Sequence, residues 1–423
     1  MPEIHDVAII GGGPAGSTAA ALLARGGRSV VLFEKQRFPR FHIGESLLPF
    51  NTPLFRKLGV EADLDARFTR KYGAQVMSGD GSMGRRVSFA DGQIPGHPMA
   101  YQVLRSSFDD LLLRNAEAKG ARVHQGSAVV GLSASDEGCA VSVRHDGAAP
   151  VSHRARFLID ASGQDAFVAA RRGTRRMMPG LRKSAAFAHY EGVFRDSGPE
   201  GGDIILIVLR DGWIWMIPLP GGVTSVGLVA DSGPFRSAAD PLEEALRSSP
   251  AARDRMRGAR RISEIRTISG YSYECRSLAG DRFLLAGDAA GFIDPIFSSG
   301  VMLAMSSGDL AAATIEKVLS GSASRRRAFR AYEKRSLERF RGYVRIVEHF
   351  YRPGFMDVFL TPTENFGLKG AVTSLLAGAV DPPLSLRLRL RIFYAILRIQ
   401  RRVPICPVVP LEDGLGKDAG GAS

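Results

Sequence analysis

The chain has 423 residues, 45% of them hydrophobic and 23% charged. These globular proportions exclude wholesale disorder and collagen-like repeats, and they leave room for two or three intertwined units. Lys and Arg outnumber Asp and Glu by 56 to 43, a net charge of +13 that favours acidic or phosphate-bearing partners. The arginines match no nucleic-acid-reading motif, so nucleic acid is not expected. Cys139, Cys275 and Cys406 form no CxxC pair, which rules out a disulfide framework or zinc site and points to a reducing compartment. The uncharged run from Val7 to Ala24 has five residues of turn chemistry at its centre, Gly11, Gly12, Gly13, Pro14 and Gly16, and is no bilayer helix. The opening Pro2-Glu3-Ile4-His5-Asp6 lacks the basic start of a signal peptide, so a cytoplasmic protein is expected.

In chain order, residues 7–10 read as a short strand, 17–25 as an alanine- and leucine-rich helix, and 29–33 as a strand closed by Glu34. Residues 38–53 are irregular, and 73–98 are rich in glycine and short strands. A helix over 105–119 stops at Gly120, and strands alternate with turns from Val123 to Ile159. The middle, 171–269, reads as an antiparallel sheet with strands at 204–209, 213–217 and 225–229. Residues 283–286 return to a buried strand, and a small-residue helix begins near Ser299. Basic helices follow Ser324, broken by Pro353, Pro362 and the Pro382-Pro383 pair. The tail beyond Leu411 is expected to fray.

Gly11-x-Gly13-x-x-Gly16 sits between a strand and a helix, with Glu34 at the end of the next strand. Such glycines let backbone N–H groups reach a pyrophosphate at the helix N-terminus, and the acid is placed to accept from an adenosine ribose. This frame leaves NAD and FAD both open. Two later segments decide between them: Phe157-Leu158-Ile159-Asp160-Ala161-Ser162-Gly163 and Phe283-Leu284-Leu285-Ala286-Gly287-Asp288-Ala289-Ala290-Gly291. With Arg105 ahead of Phe108 and Asp109, they resemble the FAD-dependent monooxygenase superfamily related to p-hydroxybenzoate hydroxylase, over roughly residues 4–320. The resemblance implies an α/β protein: a GR2-type, Rossmann-like FAD-binding domain with an antiparallel β-sheet substrate domain and a helical C-terminal segment. The FAD-binding domain is expected at 1–170 and 270–325, with 72–104 on the substrate side. The substrate sheet is expected at 171–269, the helical segment at 326–411 and a disordered tail at 412–423. FAD would be held by Gly11, Gly13, Pro14, Ala15, Gly16, Glu34, Lys35, Gly44, Glu45, Ser46, Arg105, Asp160, Gly287, Asp288, Pro295 and Gly300.

Three further stretches narrow the resemblance. Trp213-Ile214-Trp215-Met216-Ile217-Pro218 holds both tryptophans of the chain, and alone it reads as strand packing. Joined to Phe292-x-x-Pro295-x-x-Ser298-x-Gly300, and to Lys71 downstream of His42-Ile43-Gly44-Glu45-Ser46, it resembles the flavin-dependent halogenases. That resemblance implies reduced FAD (FADH2), O2 and a halide, chloride or bromide, reacting to give hypohalous acid. Ser299 and Gly300 would bind the halide, Trp213, Trp215 and Phe297 would shield the flavin from substrate, and Lys71 would aim the halogen. No metal is implied. With no second dinucleotide fingerprint, a separate flavin reductase is expected.

Pro295-Ile296-Phe297-Ser298-Ser299-Gly300 departs from the tryptophan-halogenating branch, which carries a glutamate where Phe297 stands. The departure points away from free tryptophan and toward an electron-rich phenol or pyrrole, free or tethered to an acidic carrier protein. Leu384 to Arg402 carries six arginines and no acid, with Leu386, Leu390, Phe393 and Leu397 at helical spacing. It reads as a basic amphipathic helix for a membrane surface or an acidic partner, or as a lid; its alternating start also allows a short strand. The rival readings are a geranylgeranyl-reductase-like FAD oxidoreductase and an aromatic hydroxylase.

Overall fold

Val7, Ala8 and Ile9 are almost fully buried because the strand Ile4–Ile10 lies inside a seven-stranded sheet covered on both faces. It pairs in parallel with Val30–Glu34 on one side and Val151–Asp160 on the other. Phe283–Leu285 adds a further parallel partner to Val151–Asp160, which brings residues more than a hundred positions apart to one carboxyl edge. The computed structural model describes residues 3–93, 98–361, 367–379 and 381–415.

Two helices cover this edge at backbone distance. A Cβ at Gly16, on the helix Pro14–Arg25, would lie 1.9 Å from the Gly11 carbonyl oxygen. One at Gly308, on the helix Gly300–Leu319, would lie 2.4 Å from the Ala15 carbonyl. Small residues at these positions are therefore what lets both helices start beside the strand ends.

The second layer is an eight-stranded sheet built on Lys183–Glu191, Val223–Asp231, Gly212–Pro218 and Ile204–Val208. It is not wholly antiparallel: Ile204–Val208 pairs in parallel with Gly73–Ser78, which in turn pairs with Gly84–Ser88. Alternation along Gly212–Pro218 sends Trp213, Trp215 and Ile217 toward one core and Ile214 and Met216 toward the other. The helices Arg325–Phe350, Phe355–Leu360, Leu368–Leu376 and Leu384–Gln400 close the first of these cores.

Leu384–Gln400 is a helix throughout, which removes the alternative of a short strand there. The tail expected to be disordered from residue 412 is anchored at its start. Gly414 and Leu415 donate backbone N–H groups to the Asp211 carboxylate over 2.9 and 3.2 Å, and Leu415 is buried. The rest of the tail, 416–423, lies outside the described residues, as do Pro362 and part of the glycine-rich 73–98 segment. Among the described residues no helix is long and apolar enough to cross a membrane.

Candidate active site

A cleft of about 650 Å³ runs from the glycine turn to the second sheet. At one end Gly11, Gly13, Pro14 and Ala15 line it, with Glu34 and Lys35 opposite. Gly11 has φ +96°, a left-handed value that glycine adopts freely. A Cβ on Gly13 would meet only Arg40 Nη2, at 3.7 Å, so this glycine faces open cleft. Glu34 is buried, and its carboxylate accepts from Gly12 N at 2.7 Å and Gln36 N at 2.8 Å. Lys35 is exposed and paired with Asp165.

Farther along, Gly44, Glu45, Ser46, Arg105, Gly287 and Asp288 line the same cleft. Arg105 is buried and forks onto Asp109, Nε to Oδ1 at 2.8 Å and Nη2 to Oδ2 at 2.9 Å; its Nη1 donates to the Ile43 carbonyl at 2.7 Å. Burial pushes the Asp288 carboxyl up to about 6, against the pull of Arg105. Glu45 is fully buried; Oε1 pairs with His189 at 3.0 Å, and Oε2 has no partner.

The inner end is closed by Trp213, Trp215, Phe187 and Ile217, together with Pro295, Ser298 and Gly300. The indole rings stand 5.7 Å apart, and Trp215 lies 5.9 Å from Phe187. Ser298 takes a left-handed φ of +54°, turning the chain into the helix Gly300–Leu319, whose first N–H groups have no partner within the helix. Ser299 is buried and its hydroxyl is unpartnered; its side chain does not line the cleft.

Lys71 occupies a second, narrow cavity of about 40 Å³, whose other walls are mostly apolar and include Leu48, Val87, Phe89 and Phe297. Ile204 and Ser298 line both this cavity and the large cleft, so they form the wall between the two. Lys71 is almost fully buried; Nζ donates to Ser46 Oγ at 2.8 Å and the Leu47 carbonyl at 3.1 Å, and lies 5.2 Å from the Phe89 ring centre. Burial lowers its pKa to about 7, with Asp203 opposing the shift. Among the described residues no carboxylate hydrogen-bonds to it. The geometry therefore holds an amine that is half neutral near neutrality.

Over residues 5–346 the sequence matches the family described as FAD binding domain. It is similar to the tryptophan 2-halogenase of Chondromyces crocatus, 36% identical over 373 residues that are 83% of this chain and 68% of that one. It is also similar to the 1H-pyrrole-2-carbonyl peptidyl-carrier-protein chlorinase of Pseudomonas fluorescens, 30% identical over 82% of this chain and 84% of that one. The chain belongs to the flavin-dependent halogenases. Its fold matches that of the flavin-dependent brominase Bmp2 with a TM-score of 0.85 and 28% identity, covering 95% of this chain and 100% of that one.

FAD fits the halogenase's large cleft. The open space over Gly13, the carboxylate of Glu34 at the glycine turn, the fixed guanidinium of Arg105 and the unpartnered Glu45 Oε2 are the donors, acceptors and clearance that a dinucleotide needs. Besides Ser299, three residues anticipated from sequence stand elsewhere. Gly16 packs on Gly11 behind the cleft. Asp160 is buried and accepts from Ser162 N at 3.1 Å and Val168 N at 2.7 Å, bracing the following turn without lining the cleft. Phe297 lines the Lys71 cavity, packed 5.8 Å from Phe350, and is not part of the tryptophan wall.

Sequence reasoning missed His189, Phe187, Ile204, Asp294 and Tyr351. Asp294 sits inside a motif already singled out, so its neighbours pointed to it. Tyr351, at the end of the helix Arg325–Phe350, accepts from the Trp213 indole N–H at 2.9 Å, and nothing in its local sequence announces that.

Proposed function

We propose that this halogenase installs chlorine or bromine on an electron-rich phenol or pyrrole through Lys71. The observation that carries the reading is a buried amine, its pKa lowered by desolvation to about 7, in an apolar cavity that shares a wall with the flavin cleft. When bound, reduced FAD from a separate reductase would activate O2, and the O2 would serve as the oxidant that turns halide into hypohalous acid. The chain's own groups then do the rest. The N–H groups of Ser299 and Gly300, at a helix start where the dipole favours an anion, hold the halide. Trp213 and Trp215 keep the organic substrate out of the flavin cleft, which disfavours direct hydroxylation.

Lys71 Nζ then either donates a hydrogen bond to hypohalous acid or takes the halogen from it with loss of water. In the second course the nitrogen–halogen bond breaks as the halogen passes to a ring carbon, and the proton that this carbon loses balances the return of Nζ to the amine. A phenol or pyrrole is activated enough to need no carboxylate at position 297. The cavity is too small for a ring as it stands, so the reading requires its walls, which include Phe350, Phe355 and Phe359, to move on binding.

The Pseudomonas relative is named for a carrier-bound pyrrole, which supports a tethered substrate here. The Chondromyces relative is named for tryptophan, and an indole is the second reading that it favours. The test is an assay with FAD, a flavin reductase, NADH, halide and a panel of phenols, pyrroles and tryptophan, read by mass spectrometry. A halogen isotope pattern on a phenol or pyrrole supports the proposal. Exclusive halogenation of tryptophan, or oxygenation without halogen, overturns it.

A further inference from the structure

The helix Leu384–Gln400 buries Leu386, Leu390, Phe393 and Leu397 and leaves a second apolar stripe in water. Leu384 is 82% exposed and Leu388 57%, and Ile392 and Ile399 continue the stripe at helical spacing. Arg387, Arg391 and Arg398 are exposed along its flank, and the segment 384–402 contains no acid. Arg387 donates to the Pro382 carbonyl, and among the described residues no carboxylate is paired with any of the three. An aliphatic stripe edged by one sign of charge has the composition of half an interface, an apolar core with a polar rim.

We propose that this face docks an acidic, helical carrier protein that presents the aromatic acyl group as a thioester, an inference that rests on the halogenation reading above. Two observations favour a protein over a lipid surface. The aromatic side chains of the helix, Phe393 and Tyr394, are turned inward and buried, so the outer stripe lacks the rings that interfacial helices sink into a bilayer. The face also lies one helix layer from the chemistry. Phe393 contacts Phe355 at 6.1 Å between ring centres, and Phe355 lines the Lys71 cavity. A flexible arm on a docked carrier has about 10 Å of packed helix to pass, the ordinary spacing between helix axes. Charge supplies the complementarity: arginines on this side, carboxylates on the partner.

The test uses the full chain and one probe, an acidic peptidyl carrier protein bearing pyrrole-2-carbonyl on its phosphopantetheine thiol. Binding of the fluorescently labelled carrier is measured by anisotropy, which needs no turnover. Turnover is compared with that of the pantetheine thioester of the same acid. The parent should bind the carrier with an affinity that falls steeply from 0.1 to 1 M salt, as the Debye length shrinks from ~10 to ~3 Å. R387E/R391E/R398E should weaken binding and raise KM at least tenfold for the carrier form, leaving kcat and the pantetheine thioester unaffected. L388Q/I392Q, which keeps the charge, should weaken binding as well.

Carrier binding that is absent in the parent, or equal in parent and variants, overturns the docking face. Loss of binding to phosphatidylglycerol vesicles with no change toward the carrier also overturns it and assigns the face to a membrane. If neither thioester is halogenated but carrier binding still depends on these arginines, the docking face stands and the substrate reading falls.

Discussion

The indole N–H of Trp213 donates to the phenol oxygen of Tyr351 over 2.9 Å, joining a strand of the second sheet to the end of the Arg325–Phe350 helix. Tyr351 bonds in turn to Asp294, which also accepts from Tyr271 at 3.1 Å and from Ile296 N at 3.2 Å. Asp294 thus ties the tryptophan wall to the turn that leads into Ser298, Ser299 and Gly300. Burial pushes its carboxyl up to about 6, although the hydrogen bonds it accepts and nearby Lys183 favour the charged form.

Tyr351→Phe leaves the Trp213 N–H buried without a partner, at a cost of about 1–3 kcal/mol. The variant should unfold at a lower temperature and give less halogenated product per reduced flavin oxidised, because the tryptophan wall is no longer fixed. Thermal unfolding and a product-to-flavin ratio check this; a variant equal to the parent in both would remove the Trp213–Tyr351–Asp294 chain from the account.

The glycines of the first turn separate ligand binding from folding. Gly13→Ala places a methyl in the cleft with no protein atom closer than 3.7 Å, so melting should hardly change while FAD affinity falls. Gly16→Ala forces a carbon to within 1.9 Å of the Gly11 carbonyl and should destabilise the chain itself. FAD titration and thermal melts of the FAD-free proteins distinguish the two effects. Equal FAD affinity in Gly13→Ala and the parent would contradict the proposed pyrophosphate position.

Ile204 stands between the two cavities. If the halogen crosses at this shared wall, Ile204→Trp should block the crossing, so reduced flavin is still consumed and hypohalous acid escapes to a trapping reagent, while ring halogenation falls at least tenfold. Unchanged product with no escape would mean that the halogen takes another route to Lys71.

The pKa of Lys71 near 7 gives two expectations of definite sign. If the neutral amine takes the halogen, product per flavin oxidised rises as pH increases through about 7. If the ammonium acts only as a hydrogen-bond donor, it falls. For stability, the unfolded chain keeps this proton up to about 10.4, and the folded chain only up to about 7. The unfolded state therefore binds more protons between these values, and this group makes stability rise with pH across that window. The melting-temperature advantage of Lys71→Met over the parent should be largest at pH 7 and below, and close toward pH 10. A pH-independent difference would show that Lys71 is not desolvated.

Much of the first sheet was legible in sequence because its order follows local signals. Gly11, Gly13 and Gly16 mark the turn, Glu34 closes the next strand, and the run through Asp288 returns to the same edge. The tryptophan pair and Lys71 were legible as motifs. Their grouping was not, because it depends on parallel pairing of Ile204–Val208 with Gly73–Ser78, a long-range contact with no periodicity of its own. Asp160 looked like a cofactor ligand because it ends a central strand, yet its carboxylate braces the following turn by accepting from Ser162 N and Val168 N and does not line the cleft. The 412–415 segment looked free because its local sequence carries no periodic burial signal; it is held by distant partners, the Asp211 carboxylate, Arg210 N donating to the Glu412 carbonyl at 2.8 Å and Ser248 Oγ donating to the Gly414 carbonyl at 2.9 Å.

The central claim is that Lys71 acts after the oxidised halogen has formed. The most direct measurement follows reduced-flavin consumption, trapped hypohalous acid and ring-halogenated product in parallel, in the parent, Lys71→Ala and Lys71→Arg. The account predicts flavin consumption within twofold of the parent in both variants and no halogenated ring in Lys71→Ala; in Lys71→Arg, whose guanidinium stays protonated and cannot take the halogen, ring halogenation survives only if the hydrogen-bonding course operates. Ring halogenation at the parent's rate in Lys71→Ala would contradict it.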